Sequence, residues 1–289
     1  MINTLNEEEN LPLALRSVVS WADEIVVVDM ASDDRTVEIA REFGARVYPH
    51  ERCDFVEPAR AYAFAQATGD WVLVLDADEI VPAELAERLR AIARADAADA
   101  VRIPRLNYLL GVPLGYTAWG PKQDRHTRFF KRGTVRGNDR IHGRLRSSPD
   151  ARVLDLPYQP GHAVHHFCYR DVTHFVAKLN RYTSVEALQA HDRGQRASAV
   201  RAVLHATKEF VSRYVKNGGY RDGWRGFYLS GLMAFYRFAT YAKLQELESS
   251  LPAEAVREEY RREAERLLSG YPDGYRASES RSPGRLSAL

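Results

Sequence analysis

The chain has 289 residues, 45% of them hydrophobic, and a formal net charge of +2. That length allows one large domain, or a domain with a smaller appendage, and the near-neutral balance excludes a nucleic-acid partner recruited by global charge. Two cysteines, Cys53 and Cys168, are too few for a disulfide framework and suit a reducing compartment, and no Cys/His cluster has zinc spacing.

Taken in chain order, the first readable strand is the apolar, β-branched run Glu24 to Asp29, which ends in a carboxylate. Such a run is expected to be a parallel strand buried on both faces. A helix follows, with Ser32 or Asp33 as its cap and Gly44 as its stop. Ala45 to Tyr48 reads as a short strand, Pro58 to Ala67 as a helix, and Trp71 to Leu75 as a buried strand running into Asp76-Ala77-Asp78. Pro82 to Ala98 reads as a helix with proline in its first turn. A first strand should precede Asn6, where only Met1 to Leu5 are available. Either that strand is very short or the chain starts late, which would leave it incomplete and lower stability.

From Val101 to Leu156 the text turns to short strands, many glycines and a dense basic load, with a flexible-looking stretch from Gly115 to Gly120. From Asp171 to Glu248 it is helical, with Val176, Leu179, Tyr182 and Val185 on one period. The C-terminal part, from Leu251, opens as a charged helix and ends in a Ser278–Gly284 segment expected to be disordered. The expected fold is therefore α/β, a mostly parallel Rossmann-like sheet flanked by helices, with a helical C-terminal extension. The expected division is 1–170 catalytic, with a nucleotide half of about 1–100 and an acceptor half of about 101–170, then 171–250 helical and 251–289 charged helix and tail.

No secretory signal is read at the N-terminus, and the apolar stretch Phe227 to Ala242, broken by Arg237, is too short to cross a bilayer. The protein is expected in the cytoplasm, soluble or peripheral at the inner face of the membrane.

The chemistry centres on Asp76-Ala77-Asp78. In a turn after a strand, two carboxylates one residue apart converge on one hard cation, which suits diphosphate chemistry. On spacing alone an ordinary Asp-rich turn, or a cap before Pro82, fits equally. A phosphatase of the haloacid dehalogenase type fits poorly, because Glu79-Ile80 follows where Gly-Thr would be needed. Asp29 and the Asp76/Asp78 pair both end strands, so they should face one crevice.

The runs Asn3 to Glu8, Ala22 to Asp29, Ser32 to Thr36 and Gly69 to Glu79 together resemble family 2 glycosyltransferases. The similarity is closest to the branch containing lipopolysaccharide-core glucosyltransferases. It continues through Arg102 to Tyr108, Asp124 to Arg132 and Lys178 to Tyr182, covering roughly residues 1–245. The resemblance implies a GT-A fold, a nucleoside-diphosphate-sugar donor and inversion at the anomeric carbon. It also implies a divalent Mg²⁺ or Mn²⁺ and a glycan or lipid-linked acceptor in cell-envelope synthesis.

Residue by residue, the resemblance puts Thr4, Asn6 and Glu7 along the nucleotide pocket and Asp29 at the base. Arg60 contacts nucleotide or phosphate, Asp76 meets ribose or metal, and Asp78 meets metal and diphosphate. Glu79 stands behind them, and Arg128 lies near the donor phosphates. Asp124 is the expected base for the acceptor hydroxyl, kept ionised by neighbouring Arg125 and Arg128; a plain salt bridge with those arginines is the other reading. His142 is the second candidate for acceptor activation, although His142-Gly143 departs from the His-Glu common in the branch. His166 is a candidate third metal ligand or a satisfied core histidine, and Lys178 or Arg181 could meet the diphosphate. Basic and aromatic residues between Lys208 and Tyr228 fit contact with an anionic membrane or packing on the catalytic domain.

Two rivals remain in view. A sugar nucleotidyltransferase should carry a glycine-rich loop after the first strand, and Asn6 to Asn10 supplies none. A non-catalytic sugar-nucleotide-binding scaffold would fit the missing Glu after His142, but not the joint presence of Asp76, Asp78 and Asp124.

Overall fold

The structure is a computed structural model that describes residues 1–53, 55–137, 143, 145–249 and 252–270. The N-terminal half alternates strand and helix. In order come β1 (Ile2–Thr4), α1 (Leu11–Arg16), β2 (Val26–Asp29), α2 (Thr36–Glu42), β3 (Arg46–Pro49), α3 (Glu57–Gln66), β4 (Trp71–Leu73), β5 (Leu75–Asp76), β6 (Glu79–Ile80) and α4 (Ala83–Arg94).

β1, β2, β3 and β5 form the expected parallel sheet, in the order β3-β2-β1-β5. β2 is apolar throughout because both its faces are covered. Val27 packs with Leu11 and Leu15 of α1 and Leu85 of α4, while Val26 and Val28 pack on Ala59 and Ala63 of α3. β1 is short, at three residues, yet it holds the middle of the sheet.

The expected cap of α2 is not observed. Arg35 occupies the N-cap position without a side-chain hydrogen bond. Ser32 and Asp33 are spent elsewhere: Ser32 Oγ accepts from the Asn6 amide, and Asp33 pairs with the Asn6 side chain. Gly44, at φ +74, ends the helix in a conformation a side chain would strain.

The second half brings β7 (Ala100–Leu109), β8 (Val112–Pro113), β9 (Arg125–Lys131), β10 (Val135–Arg136), β11 (Arg146–Ser147), β12 (Val153–Asp155) and β13 (Val164–Tyr169). A mixed sheet runs β4-β9-β7-β13-β6, with β8 and β12 also pairing β7. The segment 71–80 thus serves both sheets: β4 and β6 join the mixed one, and β5 joins the parallel one. This switch is what brings the two sheets together at Asp76.

The helical region is α5 (Val172–Asp192), α6 (Ala199–Val211), a π turn Ser212–Lys216, a 3-10 turn Gly219–Asp222 and α7 (Gly223–Ser249), followed by α8 (Ala253–Leu268). The buried face of α5 is Phe175, Leu179, Thr183, Ala187 and Ala190 rather than the period through Val176, which is exposed. Leu179 and Phe175 pack with Leu109 and Leu114 of the β7–β8 hairpin and Leu229 of α7, and that apolar seat fixes the rotation of α5.

The chain divides into two compact units, Met1–Glu248 and Ser249–Leu289. In the second, α8 carries ion pairs along its own surface, such as Arg261 with Glu265. The segment Ser278–Gly284 and His142 lie outside the described residues. Among the described residues no helix is long and apolar enough to cross a membrane.

Candidate active site

Three clusters of charged side chains meet where the two sheets join. The first surrounds Asp76, at the carboxyl end of β5. Arg60 Nη2 donates to its Oδ1 at 2.8 Å and Arg128 Nη2 to its Oδ2 at 2.8 Å. Glu79 stands behind, fully buried, accepting from the Asp76 amide at 2.9 Å and from Arg128 at 3.2 Å. Burial alone would raise the Asp76 carboxyl, but Arg128 and Arg60 override it and hold it well below the usual carboxylate range. Buried Arg60 Nε and Arg128 Nη1 have no partner among the described residues.

The second cluster surrounds Asp78. Its Oδ2 lies 3.5 Å from His166 Nε2 and 3.9 Å from Lys178 Nζ. Strand register explains the meeting: β13 sets His166 opposite Glu79 on one side and Asn107 on the other. Burial would lower the His166 imidazole, yet Asp78 raises it to about 10. Lys178 enters this cluster from α5; Arg181 does not, and instead lies exposed over the Tyr182 ring.

The third cluster surrounds Asp124. Its Oδ1 pairs with His126 Nε2 at 2.6 Å, and its Oδ2 accepts from Arg105 Nε at 2.9 Å and Asn107 Nδ2 at 2.7 Å. Burial would raise this carboxyl, but His126 and Arg105 reverse the effect and hold it far below its ordinary value. His126 itself is lowered, by burial first and then by Arg105, so the neutral ring donates its Nε2 proton to Asp124.

The expected neighbours of Asp124 are therefore corrected. Arg125 turns away to Asp155 at 2.8 Å, and Arg128 serves Asp76. The reason is strand geometry: successive side chains on β9 point to opposite faces, so Asp124 faces His126 and not Arg125.

Two residues of β7 tie the clusters together. Arg105 reaches Glu79 at 3.6 Å as well as Asp124. Asn107, 1% exposed, bonds three ways. Its Nδ2 donates to Asp124 and, at 2.8 Å, to the Trp119 carbonyl, while its Oδ1 faces His166 Nδ1 at 2.6 Å. Because the carboxylate of Asp124 only accepts, Nδ2 must face it, and His166 Nδ1 must then carry a proton. That leaves His166 Nε2 as the ring atom offered to Asp78. Neither Asn107 nor Arg105 was picked out from the sequence. The alternation 105, 107 on one strand and 124, 126, 128 on the next was the readable signal.

Asp29 and Thr4 form a separate network at the ends of β1 and β2. The Asp29 carboxylate accepts from Thr4 Oγ1 at 3.1 Å, Ser32 Oγ at 2.5 Å and the Ser32 amide at 3.0 Å. Asn6, at φ 55, spends both ends of its amide on Asp33. Asp34 accepts from the amides of Glu8 and Thr36 and so staples the loop. Asn6, Glu7, Asp78, His174 and Lys178 line a polar cavity of about 260 Å³. Burial, and then the nearby charge of Asp78, raises the Glu7 carboxyl, although Asn10 opposes the shift.

The Gly115–Gly120 stretch is not a loose loop. The Asp222 carboxylate accepts the amides of Gly115 and Tyr116, Arg213 donates to the Thr117 carbonyl, and the Gly120 amide returns to Tyr116 at 2.7 Å. A side chain on Gly120 would sit 2.0 Å from the Gly115 carbonyl, so the closed turn requires glycine.

The sequence pattern of glycosyl transferase family 2 matches residues 1–147, the stretch that carries the Asp76 and Asp124 clusters. The chain belongs to glycosyl transferase family 2. It is a glycosyltransferase. The lipopolysaccharide core biosynthesis glycosyltransferase LpsC of Rhizobium meliloti is 30% identical over 251 residues, 84% of this chain and 89% of that one. An uncharacterized glycosyltransferase of Rickettsia bellii is 27% identical over 251 residues, 85% of each chain. The S. aureus TarS 1-349 structure in complex with UDP-GlcNAc is a more distant likeness, 15% identical with a TM-score of 0.47 over 91% of this chain and 90% of that one.

Among the described residues no group of three His, Cys, Asp or Glu side chains is assembled to hold a metal. Of the expected set Asp76, Asp78 and His166, Asp78 and His166 lie side by side, and both oxygens of Asp76 accept from arginines. Asp78 and His166 still suit a divalent cation: one carboxylate oxygen and one imidazole nitrogen, half-buried and 3.5 Å apart.

Proposed function

We propose that this glycosyltransferase moves a sugar from a nucleoside-diphosphate-sugar donor to a hydroxyl of a glycan or lipid-linked acceptor, with inversion, in cell-envelope synthesis. Residues 1–170 would carry the chemistry and 171–250 would support the acceptor side. The observation that carries the reading is the network of hydrogen bonds and ion pairs that joins Asp76, Asp78 and Asp124 by way of Glu79, Arg105, Asn107 and His166.

Each cluster has a role in that reading. Asp76, Arg60 and Arg128 meet the ribose and the diphosphate, whose oxygens satisfy the two unpaired guanidinium nitrogens. Thr4, Asn6, Glu7 and Asp29 shape the nucleotide end. Asp78 and His166 hold Mg²⁺ or Mn²⁺, which neutralises charge on the departing diphosphate when bound. Lys178, close to Asp78, adds a second positive charge there. Asp124 is ionised at neutral pH, the state needed to take the acceptor proton, and Arg105, Asn107 and His126 hold both its oxygens in place. His142 is the second candidate for that step. The enzyme would work at the cytoplasmic face of the membrane.

A thermal-shift screen of UDP, GDP and dTDP with Mn²⁺ tests the donor claim, since a bound ligand stabilises by RT ln(1 + [L]/Kd). One nucleotide should shift the wild type, the shift should need the metal, and Asp78→Ala should abolish the metal-dependent shift together with transfer. Full transfer in EDTA would remove the metal from the scheme.

A further inference from the structure

The α6–α7 surface runs against the usual rule for a helix on a globular protein. α6 is amphipathic, yet Ala202 is its only buried residue. Its apolar stripe faces solvent: Val200 is 69% exposed, Val203 55%, Leu204 61%, and Val211 and Val215 continue the line at helical spacing. α7 presents a second stripe on a seven-residue repeat, Trp224, Tyr228, Phe235 and Phe238, all exposed. Ring contacts fuse the two stripes: Phe210 and Tyr214 meet Phe227 at 5.8 and 5.6 Å, and Phe227 meets Tyr228 at 5.6 Å.

Charge around this surface has one sign. Residues 199–228 include six Lys or Arg and two acidic residues. Both acids are occupied inward, Glu209 with Arg213 and Arg237, and Asp222 with the Gly115 and Tyr116 amides. Arg201, Lys208, Lys216 and Arg221 are exposed along the margin, and Arg225 lies 4.4 Å over the Trp224 ring. An apolar stripe bordered by Trp, Tyr and cations matches the boundary of an anionic bilayer, with acyl chains for the stripe and headgroup phosphates for the margin.

The same surface is wired to the site. Arg213 donates to Thr117 and lies 5.3 Å over Trp119, and the Trp119 carbonyl is held by Asn107 beside Asp124. We infer that the α6–α7 face docks on an anionic lipid surface and so sets the Trp119 turn and Asp124 towards acceptors presented from that surface. The acceptor class, a lipid-linked glycan, rests on the glycosyl-transfer reading; the docking does not.

The test is co-sedimentation of the full chain with vesicles of phosphatidylcholine and phosphatidylglycerol, about two to one, against phosphatidylcholine alone. The wild type should pellet with the anionic vesicles, and less so as salt rises. Val203→Glu with Leu204→Glu should weaken this at least tenfold, and Trp224→Ala with Tyr228→Ala should weaken it independently. All four residues are exposed, so folding and donor hydrolysis should stay at wild-type level. Failure of the wild type to pellet, or pelleting of both variants at the wild-type level, would overturn the proposal. So would a wild-type dimer that Leu204→Glu dissociates while no vesicle binding is seen, which would make the face a contact between copies. Lost donor hydrolysis in a wild type that still binds vesicles would instead refute the glycosyl-transfer reading and leave the docking intact.

Discussion

Asn107→Leu keeps the size of the side chain and removes three hydrogen bonds at once. The bond to the Trp119 carbonyl contributes about 1 kcal/mol, and those to the Asp124 carboxylate and the His166 ring about 2 kcal/mol each. Asp124 keeps Arg105, which recovers part of the loss. The expected destabilisation is about 3–5 kcal/mol, or a fall of roughly 10 °C in Tm for a chain of this size. Asn107→Asp is the companion. It retains the bond to His166 but sets a carboxylate oxygen where Nδ2 donated to Asp124 at 2.7 Å. Two such groups share one proton, so the pair titrates above an ordinary carboxyl. Stability of Asn107→Asp should therefore be closest to wild type at low pH and fall as pH rises through the raised pKa. Thermal unfolding of the three proteins from about pH 4 to pH 8 reads both effects. An Asn107→Leu protein within about 1 kcal/mol of wild type, or a flat difference for Asn107→Asp, would refute the bridging role.

Asp124→Asn should lower kcat by at least about a hundredfold while leaving the nucleotide thermal shift in place; a normal rate removes Asp124 as base. Glu79→Gln removes one buried countercharge of Arg128 and Arg105, which keep Asp76 and Asp124, and should cost about 2–3 kcal/mol in denaturant unfolding, with a near-neutral result ruling out that structural role. Glu209 is raised by burial but lowered further by Arg213 and Arg237, so its folded pKa lies below the unfolded one. Its contribution is present above the ordinary carboxyl pKa and lost as pH falls through the depressed one. Glu209→Gln should thus unfold earlier than wild type near neutrality and converge with it in acid; a gap independent of pH would contradict the ion pairs.

The parallel sheet was legible where a strand is a continuous apolar run ending in a carboxylate, as Val26 to Asp29 is; the run Trp71 to Leu75, expected as one strand, instead divides between β4 in the mixed sheet and β5 in the parallel one. The site was legible only in part. Asp76 and Asp78 announce themselves by spacing, whereas the partners of Asp124 do not. Arg105 and Asn107 lie 19 and 17 positions away, and the contact exists only through the antiparallel pairing of β7 with β9. Nearness in sequence instead pointed to Arg125, which strand alternation sends to the opposite face. The period of α5 was misplaced for a related reason. Val176 is as apolar as Phe175, and only the seat formed by Leu109, Leu114 and Leu229 decides which of them is buried.

β1 contributes three residues to the centre of the parallel sheet. At its other end, away from Asp76, Met1, Ile25, Val26, Trp71 and Leu73 border a cavity of about 450 Å³. That end is nonetheless tied: the Met1 ammonium donates to the Leu73 carbonyl at 2.7 Å, and the Leu75 amide donates back to the Met1 carbonyl at 3.1 Å. Because β1 is held by β2 on one side and β5 on the other, its amides should exchange among the slowest of the parallel sheet, so that stiffness is concentrated under the reacting groups.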